Sequence, residues 1–280
     1  MNRKDVLQWL AAGAGFAAGA ALTYRLMTER SRLTVTRATF GIRNLPPDLE
    51  GLRVGHLTDL HVGPGTPAEF VREAISMANR LQPHVVLMTG DFVDYRASDL
   101  PACAEALSRL RAPLGAYGVL GNHDHAVGAD EVEQALTHAR VRVLRNSNAP
   151  LGNGPRHLWI AGLDDTTGYR GDFCGALAGI PPGDPIILLS HVPDVLPKAA
   201  DEQIDLILAG HTHGGQVVLP FIGAPHAPVR LGGAFISGSR RINHSRVHTS
   251  RGVGTSVLPV RFRCPPEIGL FTLRAAGRTD

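Results

Sequence analysis

The sequence predicts an α/β fold in which strands alternate with helices, forming a largely parallel inner sheet, and a second sheet begins further along the chain. Three observations carry this reading. Short runs such as Val85-Val86-Leu87-Met88 and Ile186-Ile187-Leu188-Leu189 have the length and composition of strands buried on both faces. Between several of them lie amphipathic stretches of helical period. Five runs then stop abruptly in carboxylates, amides or imidazoles, as strands do when they deliver polar side chains to the lip of a sheet. With 280 residues, 44% hydrophobic and 19% charged, the chain can bury one large core, and a single domain over 33–280 is expected.

Residues 1–32 differ from the rest. Arg3 and Lys4 precede an uncharged, Ala- and Gly-rich stretch over 6–24, and Arg25, Arg30 and Arg32 follow it. As a helix rising about 1.5 Å per residue this stretch reaches roughly 28 Å, barely the ~30 Å of a hydrocarbon core. It reads as a signal peptide with small residues such as Ala18-Gly19-Ala20 for cleavage, as an uncleaved signal-anchor, or as a buried helix. A buried helix should show polar positions every few residues, and Gln8 is nearly alone, so export or membrane anchoring through 6–24 is expected. Arg3-Lys4-Asp5-Val6-Leu7 also resembles a twin-arginine export signal with Lys in the second basic place. Five basic and two acidic residues in this segment account for the whole net charge of +3, so the body is formally neutral. With no basic stripe interleaved with aromatics, a nucleic-acid partner is disfavoured.

In chain order, 33–50 alternate polar and apolar residues up to Pro46-Pro47, which reads as an entry strand and a turn. The βα rhythm starts at Leu52. Thr66-Pro67-Ala68-Glu69 has the form of a capping box, opening a helix with Phe70, Ala74, Met77 and Leu81 on one face. Strand 84–88 leads to a helix over 98–110, and the strand before Asn122 to a helix over 130–139 and a strand over 141–144. Residues 157–163 and 185–190 start the second sheet, and a helix over 192–200 connects to strand 204–209. The apolar stretch 217–223 reads as a strand closing that sheet, with a lip for lipid or an acyl chain as the alternative; 266–273 reads as the last strand. Cys103, Cys174 and Cys264 match no zinc spacing and read as small buried hydrophobes.

The strand ends supply the carboxylates Asp59 and Asp91, the amide Asn122, and the imidazoles His61, His191, His211 and His213. Such an N/O set without thiolate suits divalent manganese, iron, zinc or cobalt. Seven donors exceed one tetrahedral ion, and two ions sharing a bridging carboxylate are the economical solution. Asp91 follows Gly90 at a strand end, where it could equally cap a helix; it is the carboxylate placed to bridge. His211 and His213, read as an extended segment, would point to the same side. Any one block could arise by accident, with Asp59 or Asn122 as turn residues and His191 as an ordinary core imidazole.

The ordered set Asp59-Leu60-His61, Gly90-Asp91, Gly121-Asn122-His123-Asp124, His191 and Gly210-His211-Thr212-His213 resembles the calcineurin-like metallophosphoesterases. Gly90-Asp91-Phe92-Val93-Asp94, His211-Thr212-His213-Gly214-Gly215-Gln216 and the apolar N-terminus are similar to the bacterial membrane-associated or exported branch of that family. The resemblance implies a four-layer α/β/β/α sandwich of two mixed sheets with flanking helices. It implies one ion on Asp59, His61, Asp91 and His213 and a second on Asp91, Asn122, His191 and His211. A hydroxide bridging them would attack phosphorus in a phosphate mono- or diester, with His123 protonating the leaving oxygen, Asp94 orienting His123 and Asp124 supporting the loop. Arg251 is a candidate substrate-binding contact to phosphate. The expected protein is a monomeric phosphodiesterase or phosphatase of the cell envelope. The runner-up is a pyrophosphatase acting on a UDP-linked acylated sugar, a lipid A-type precursor.

Other classes fit less well. No Gly-x-Ser-x-Gly nucleophile elbow is present, since Ile236-Ser237-Gly238 lacks the leading Gly, and no Gly-x4-Gly-Lys-Ser/Thr loop occurs. A metal-binding scaffold without activity is the rival from outside the enzymes, and retention of His123 beside the ligands argues against it.

Overall fold

The computed structural model describes residues 2–202 and 204–277; Met1, Gln203 and 278–280, which fall within the expected segments 1–32 and 33–280, lie outside the described residues. In order the elements are α1 (Arg3–Glu29), β1 (Thr34–Ile42), β2 (Arg53–Leu57), α2 (Ala68–Arg80), β3 (Val85–Thr89), α3 (Leu100–Leu107), β4 (Ala116–Val119), α4 (Asn122–Val127) and α5 (Ala129–His138). There follow β5 (Val141–Val143), β6 (Ser147–Leu151), β7 (Leu158–Gly162), α6 (Phe173–Leu177), β8 (Ile186–Leu189), α7 (Leu196–Asp201), β9 (Leu206–Ala209), β10 (Gly238–Ile242), β11 (Ser245–Thr249) and β12 (Glu267–Ala275).

The strands form two six-stranded sheets, ordered β1-β12-β2-β3-β4-β5 and β10-β11-β9-β8-β7-β6. β2 to β5 run parallel, as do β7, β8, β9 and β11, while β12 is antiparallel to β2 and β6 and β10 are antiparallel edges. Both sheets are therefore mixed around parallel centres.

Alternation along the strands makes the layers. On β3, Val85 and Leu87 face a core between the sheets, while Val86 and Met88 face a core under α2, α3 and α5. On β9, Leu206 and Leu208 enter the inter-sheet core, and Ile207 and Ala209 enter a third core with α6 and α7. Three cores between four layers give the α/β/β/α order, and strands with two covered faces read as unbroken apolar runs.

Local details differ from expectation. Thr66 does not cap α2, which has no side-chain cap; its hydroxyl instead accepts from Thr255 N at 3.0 Å. The fully buried face of α2 is Val71, Ala74, Ile75 and Ala78, with Phe70, Met77 and Leu81 partly covered beside it. The stretch 217–223 is not a strand of the second sheet: it makes isolated bridges, Val217 to Phe262 and Leu219 to Gly223, and turns with Phe221 in left-handed backbone. Cys103 and Cys264 are buried, as expected, whereas Cys174 is exposed.

The apolar stretch 6–24 lies within α1, and no helix among the described residues is long and apolar enough to cross a membrane. Its many Ala and Gly residues supply length with little hydropathy. The end of α1 meets the body, where Glu29 Oε1 accepts from Cys264 N at 2.6 Å and Arg30 Nη1 donates to Pro259 O at 3.2 Å.

Candidate metal centre

Every donor named from the sequence follows the C-terminal end of a parallel strand: Asp59 and His61 after β2, Asp91 after β3, Asn122 after β4, His191 after β8, and His211 and His213 after β9. Because β2, β3 and β4 are neighbours in one sheet and β8 and β9 in the other, these loops meet at one edge of the sandwich. Backbone bonds tie them together: Asp59 N to Gly90 O at 2.9 Å, His61 N to Asp91 O at 3.0 Å and Gly210 N to His191 O at 2.9 Å.

The loops turn sharply to do this. Asp59, His61, Asp91, His211 and His213 all have φ between 44° and 67°, in the left-handed region that costs a side-chain-bearing residue free energy. Hence His211 and His213 do not sit on an extended segment; they flank a turn, with Thr212 at φ −77°. The glycines preceding the donors are required by close approach. A Cβ on Gly121 would stand 2.2 Å from Asp91 Oδ1, and one on Gly210 would stand 2.3 Å from Asp59 Oδ2.

Three groups of donor atoms result among the described residues, Asp59 with His61 and His213, Asp91 with His191 and His211, and His61 with Asp91 and His123; the first two hold the expected ligands. Asp91 Oδ2 lies between them, 3.4 Å from His61 Nε2 and 3.2 Å from His191 Nε2. His61 Nε2 faces His213 Nε2 at 3.1 Å, and His191 Nε2 lies 3.2 Å from Asn122 Oδ1 and 3.1 Å from His211 Nδ1. The facing ring nitrogens, the Asn122 oxygen and the Asp91 oxygen thus converge within hydrogen-bond distance of one another. Donor atoms ringing an ion at about 2.0–2.2 Å stand on the order of 3 Å apart, and these residues fit divalent cations. His213 Nδ1 is buried without a hydrogen-bond partner, and His61 Nδ1 lies 3.5 Å from the Asp94 carboxylate.

Electrostatics agree with a cation-binding cluster. Burial pushes His191 down, but the Asp91 carboxylate outweighs it and holds the imidazole up at about 10; burial beside His191 pushes His211 down to about 3. The Asp91 carboxyl is held well below the usual range because His191 and His61 overcome its burial. Asp124 is fully buried and supports the loop as expected, accepting from Asp91 N at 2.8 Å, Phe92 N at 2.9 Å and Gly121 N at 2.9 Å. Burial and the Asp91 charge push its carboxyl up to about 7.

His123 sits beside the cluster. Its Nδ1 lies 2.8 Å from the carbonyl oxygen of Asp94, while the Asp94 carboxylate is at 3.4 Å, shared with His61 Nδ1 at 3.5 Å. Asp94 therefore aligns the ring mainly through its backbone, leaving Nε2 directed elsewhere. The same ring can approach His61 and Asp91 as a third potential donor group. Tyr95, not singled out from the sequence, packs on His123 with its hydroxyl 3.4 Å from Nε2. Its only sequence signal is its place directly after Asp94.

Arg251 is not brought into the cluster. Its Nε pairs with Glu267 Oε2 at 2.6 Å and its Nη2 donates to Thr34 Oγ1 at 3.1 Å, so the guanidinium is committed to joining β1, β11 and β12. The buried cation near the donors is Arg261, which the sequence did not mark. It donates to the carbonyls of Gly252 and Cys264 at 3.2 and 3.1 Å, fixing the loop whose Gly254 N donates to Asp59 O at 2.6 Å.

Two stacked mixed sheets gathering carboxylates and imidazoles at one edge are an arrangement fit for a metal-dependent hydrolase. A calcineurin-like phosphoesterase family model matches residues 52–215, the span that holds all seven donors. The chain is 32% identical to the uncharacterized metallophosphoesterase YkuE of Bacillus subtilis over 98% of each chain. It is 31% identical to the phosphodiesterase YaeI of Escherichia coli, covering 78% of this chain and 80% of YaeI. A zebrafish (Danio rerio) transmembrane protein with metallophosphoesterase domain is 32% identical over 90% of this chain and 60% of its own length. The chain belongs to the calcineurin-like phosphoesterase family.

Proposed function

We propose that the protein is a dinuclear metal-dependent phosphodiesterase of the cell envelope. The observation that carries the dinuclear reading is the position of Asp91 Oδ2, 3.4 and 3.2 Å from imidazole nitrogens of two separate donor groups. One site would be Asp59, His61, Asp91 and His213, the other Asp91, Asn122, His191 and His211. Bound metal ions would supply a water-derived nucleophile of lowered pKa and neutralise the phosphoryl oxygens. The chain's own part is to hold the donors, to exclude rotation of Asp91 through His123 N at 3.0 Å from Oδ1, and to present His123 Nε2 as the acid for the departing oxygen. Tyr95 beside that nitrogen keeps its proton, since burial and the nearby Asp94 and Asp91 charges raise its phenol, and it can hydrogen-bond the same oxygen.

The envelope assignment rests on the sequence of residues 1–32 and on the similarity to the zebrafish transmembrane protein with metallophosphoesterase domain. The reading takes in both export and attachment at the membrane, and no described helix is long and apolar enough to span it.

The test pairs metal analysis with hydrolysis of bis-p-nitrophenyl phosphate. Asp91→Asn is expected to lose bound metal and at least a hundredfold in kcat, while His123→Ala loses on the order of 10²–10⁴ in kcat with metal retained. Wild-type turnover by Asp91→Asn would overturn the two-ion assignment. Metal loss in His123→Ala would make that residue a ligand and remove it as the acid.

A further inference from the structure

The donor cluster opens into two cavities that meet at His211 and Pro228, the first mainly apolar and the second of mixed polar and apolar lining. The first, about 360 Å³, has Asp91, His123, His211 and His213 at its base and Val217, Pro225, Leu258 and Val260 among its walls. The second, about 480 Å³, is lined by Thr166, Thr167, Tyr169, Asp194 and Arg230 on the far side of His211. Val192, Val195 and Val229 complete its lining.

The apolar cavity is built, not incidental. Gln216 donates through Nε2 to Ser256 O at 3.1 Å and to Leu258 O at 2.9 Å, and its Oε1 accepts from Ser256 N at 2.9 Å. These bonds staple the 216–223 loop to the 256–258 loop, and each loop leaves large apolar side chains at its tip, Phe221 and Ile222 on one, Val257 and Leu258 on the other. Val257 and Leu258 line the cavity themselves, and exposed apolar residues at the mouth of a cavity mark a binding surface, whereas scattered ones would not.

We propose that the substrate is an amphiphilic phosphodiester, with its apolar ester arm in the Val217 to Val260 cavity and its hydrophilic arm past His211 against Thr166, Thr167 and Arg230. This deepens the phosphodiesterase reading and rests on it. His123 lines the apolar cavity and not the second one, so the ester oxygen it faces is that of the apolar arm. The water oxygen bonds to phosphorus as the bond from phosphorus to that ester oxygen breaks. His123 gives its proton to the leaving oxygen and is reprotonated from solvent. The products are the apolar alcohol and the phosphomonoester of the hydrophilic arm, with one proton released.

The experiment uses the full chain with Mn²⁺ and glycerol alkyl phosphodiesters from methyl to octyl, each below its micellar concentration. The expected result is a rise in kcat/KM of about fourfold per added methylene until the cavity is filled, from the transfer free energy of a buried CH₂. Products are expected to be octanol and glycerol phosphate. Leu258→Ser should reduce the octyl-to-methyl ratio at least tenfold, and calorimetric titration should show octyl phosphate binding more tightly than methyl phosphate in wild type. Equal kcat/KM for all chain lengths, or accumulation of octyl phosphate and glycerol, would overturn the proposal while leaving the phosphodiesterase reading standing. No hydrolysis of these diesters or of bis-p-nitrophenyl phosphate would overturn both.

Discussion

At the residue scale, the donors are positioned by groups that carry no chemistry of their own. Gly121 packs so tightly against Asp91 that a Cβ would meet its Oδ1 at 2.2 Å and its backbone N at 2.8 Å. Gly121→Ala is therefore expected to push Asp91 out of place, costing about 1–3 kcal/mol in stability and at least tenfold in metal affinity, as read by thermal melting and metal titration. Melting and affinity equal to wild type would show that the loop yields without displacing Asp91. The seven candidate donors are legible in the sequence because each follows an apolar run, and a run's end is visible in one dimension. Arg261 and Tyr95 could not, since their partners lie in other loops, and Arg251 misled because its commitment to Glu267 depends on the pairing of β12 with β1. The turn at His211 to His213 was hidden for a different reason: left-handed backbone at a histidine runs against local preference and is imposed by packing.

At the scale of elements, the legible ones are those with both faces covered. β3, β8 and β9 read as unbroken apolar runs because cores lie on each side, whereas 217–223 has the same composition but stays outside both sheets, with Val217 in the wall of the cleft. Composition alone does not separate a buried strand from an apolar rim. β12 shows what sequence order conceals: the last strand lies between β1 and β2 and completes the first sheet. A chain ending at Cys264 is expected to fail to fold cooperatively, although it keeps all seven donors, and circular dichroism with thermal melting would check this. The first residue of β12 adds a pH dependence. Glu267 is buried, which would raise its carboxyl, but His248 at 3.3 Å and Arg251 at 2.6 Å outweigh burial and hold it well below the usual value. A depressed carboxyl contributes stability that is present above its unfolded pKa, near 4.5, and is lost as pH falls through the folded one. In metal-free protein, the stability of Glu267→Gln should thus fall less steeply below pH ~4.5 than that of wild type, and at neutral pH the variant should be less stable by about 3 kcal/mol. Parallel pH profiles for the two proteins would show that the ion pair contributes nothing.

At the scale of the whole molecule, the open matter is what α1 does for the body. All seven donors lie beyond residue 58, and α1 is tied to the body through its last turn, where Glu29 accepts from the buried Cys264 N at 2.6 Å. Cys264 also donates through Sγ to His213 O at 3.2 Å, so the end of α1 is two bonds from a donor. A chain beginning at Leu33 keeps the donors and both sheets but leaves the Cys264 amide without its carboxylate. It should fold, bind metal and hydrolyse soluble diesters, with stability lower by about 1–3 kcal/mol than a chain beginning at Thr28, which retains Glu29. Fractionation separates the roles of helix and rim. If residues 1–32 provide the attachment, the full chain will sediment with membranes or be exported, and both shortened chains will be soluble. If the apolar tips at Phe221, Ile222, Val257 and Leu258 suffice, the shortened chains will still bind vesicles, and Phe221→Ser in the chain from Thr28 will release them. A full chain found only in the cytosol would remove the envelope assignment, leaving the metal centre and its chemistry untouched because all seven candidate donors lie beyond α1.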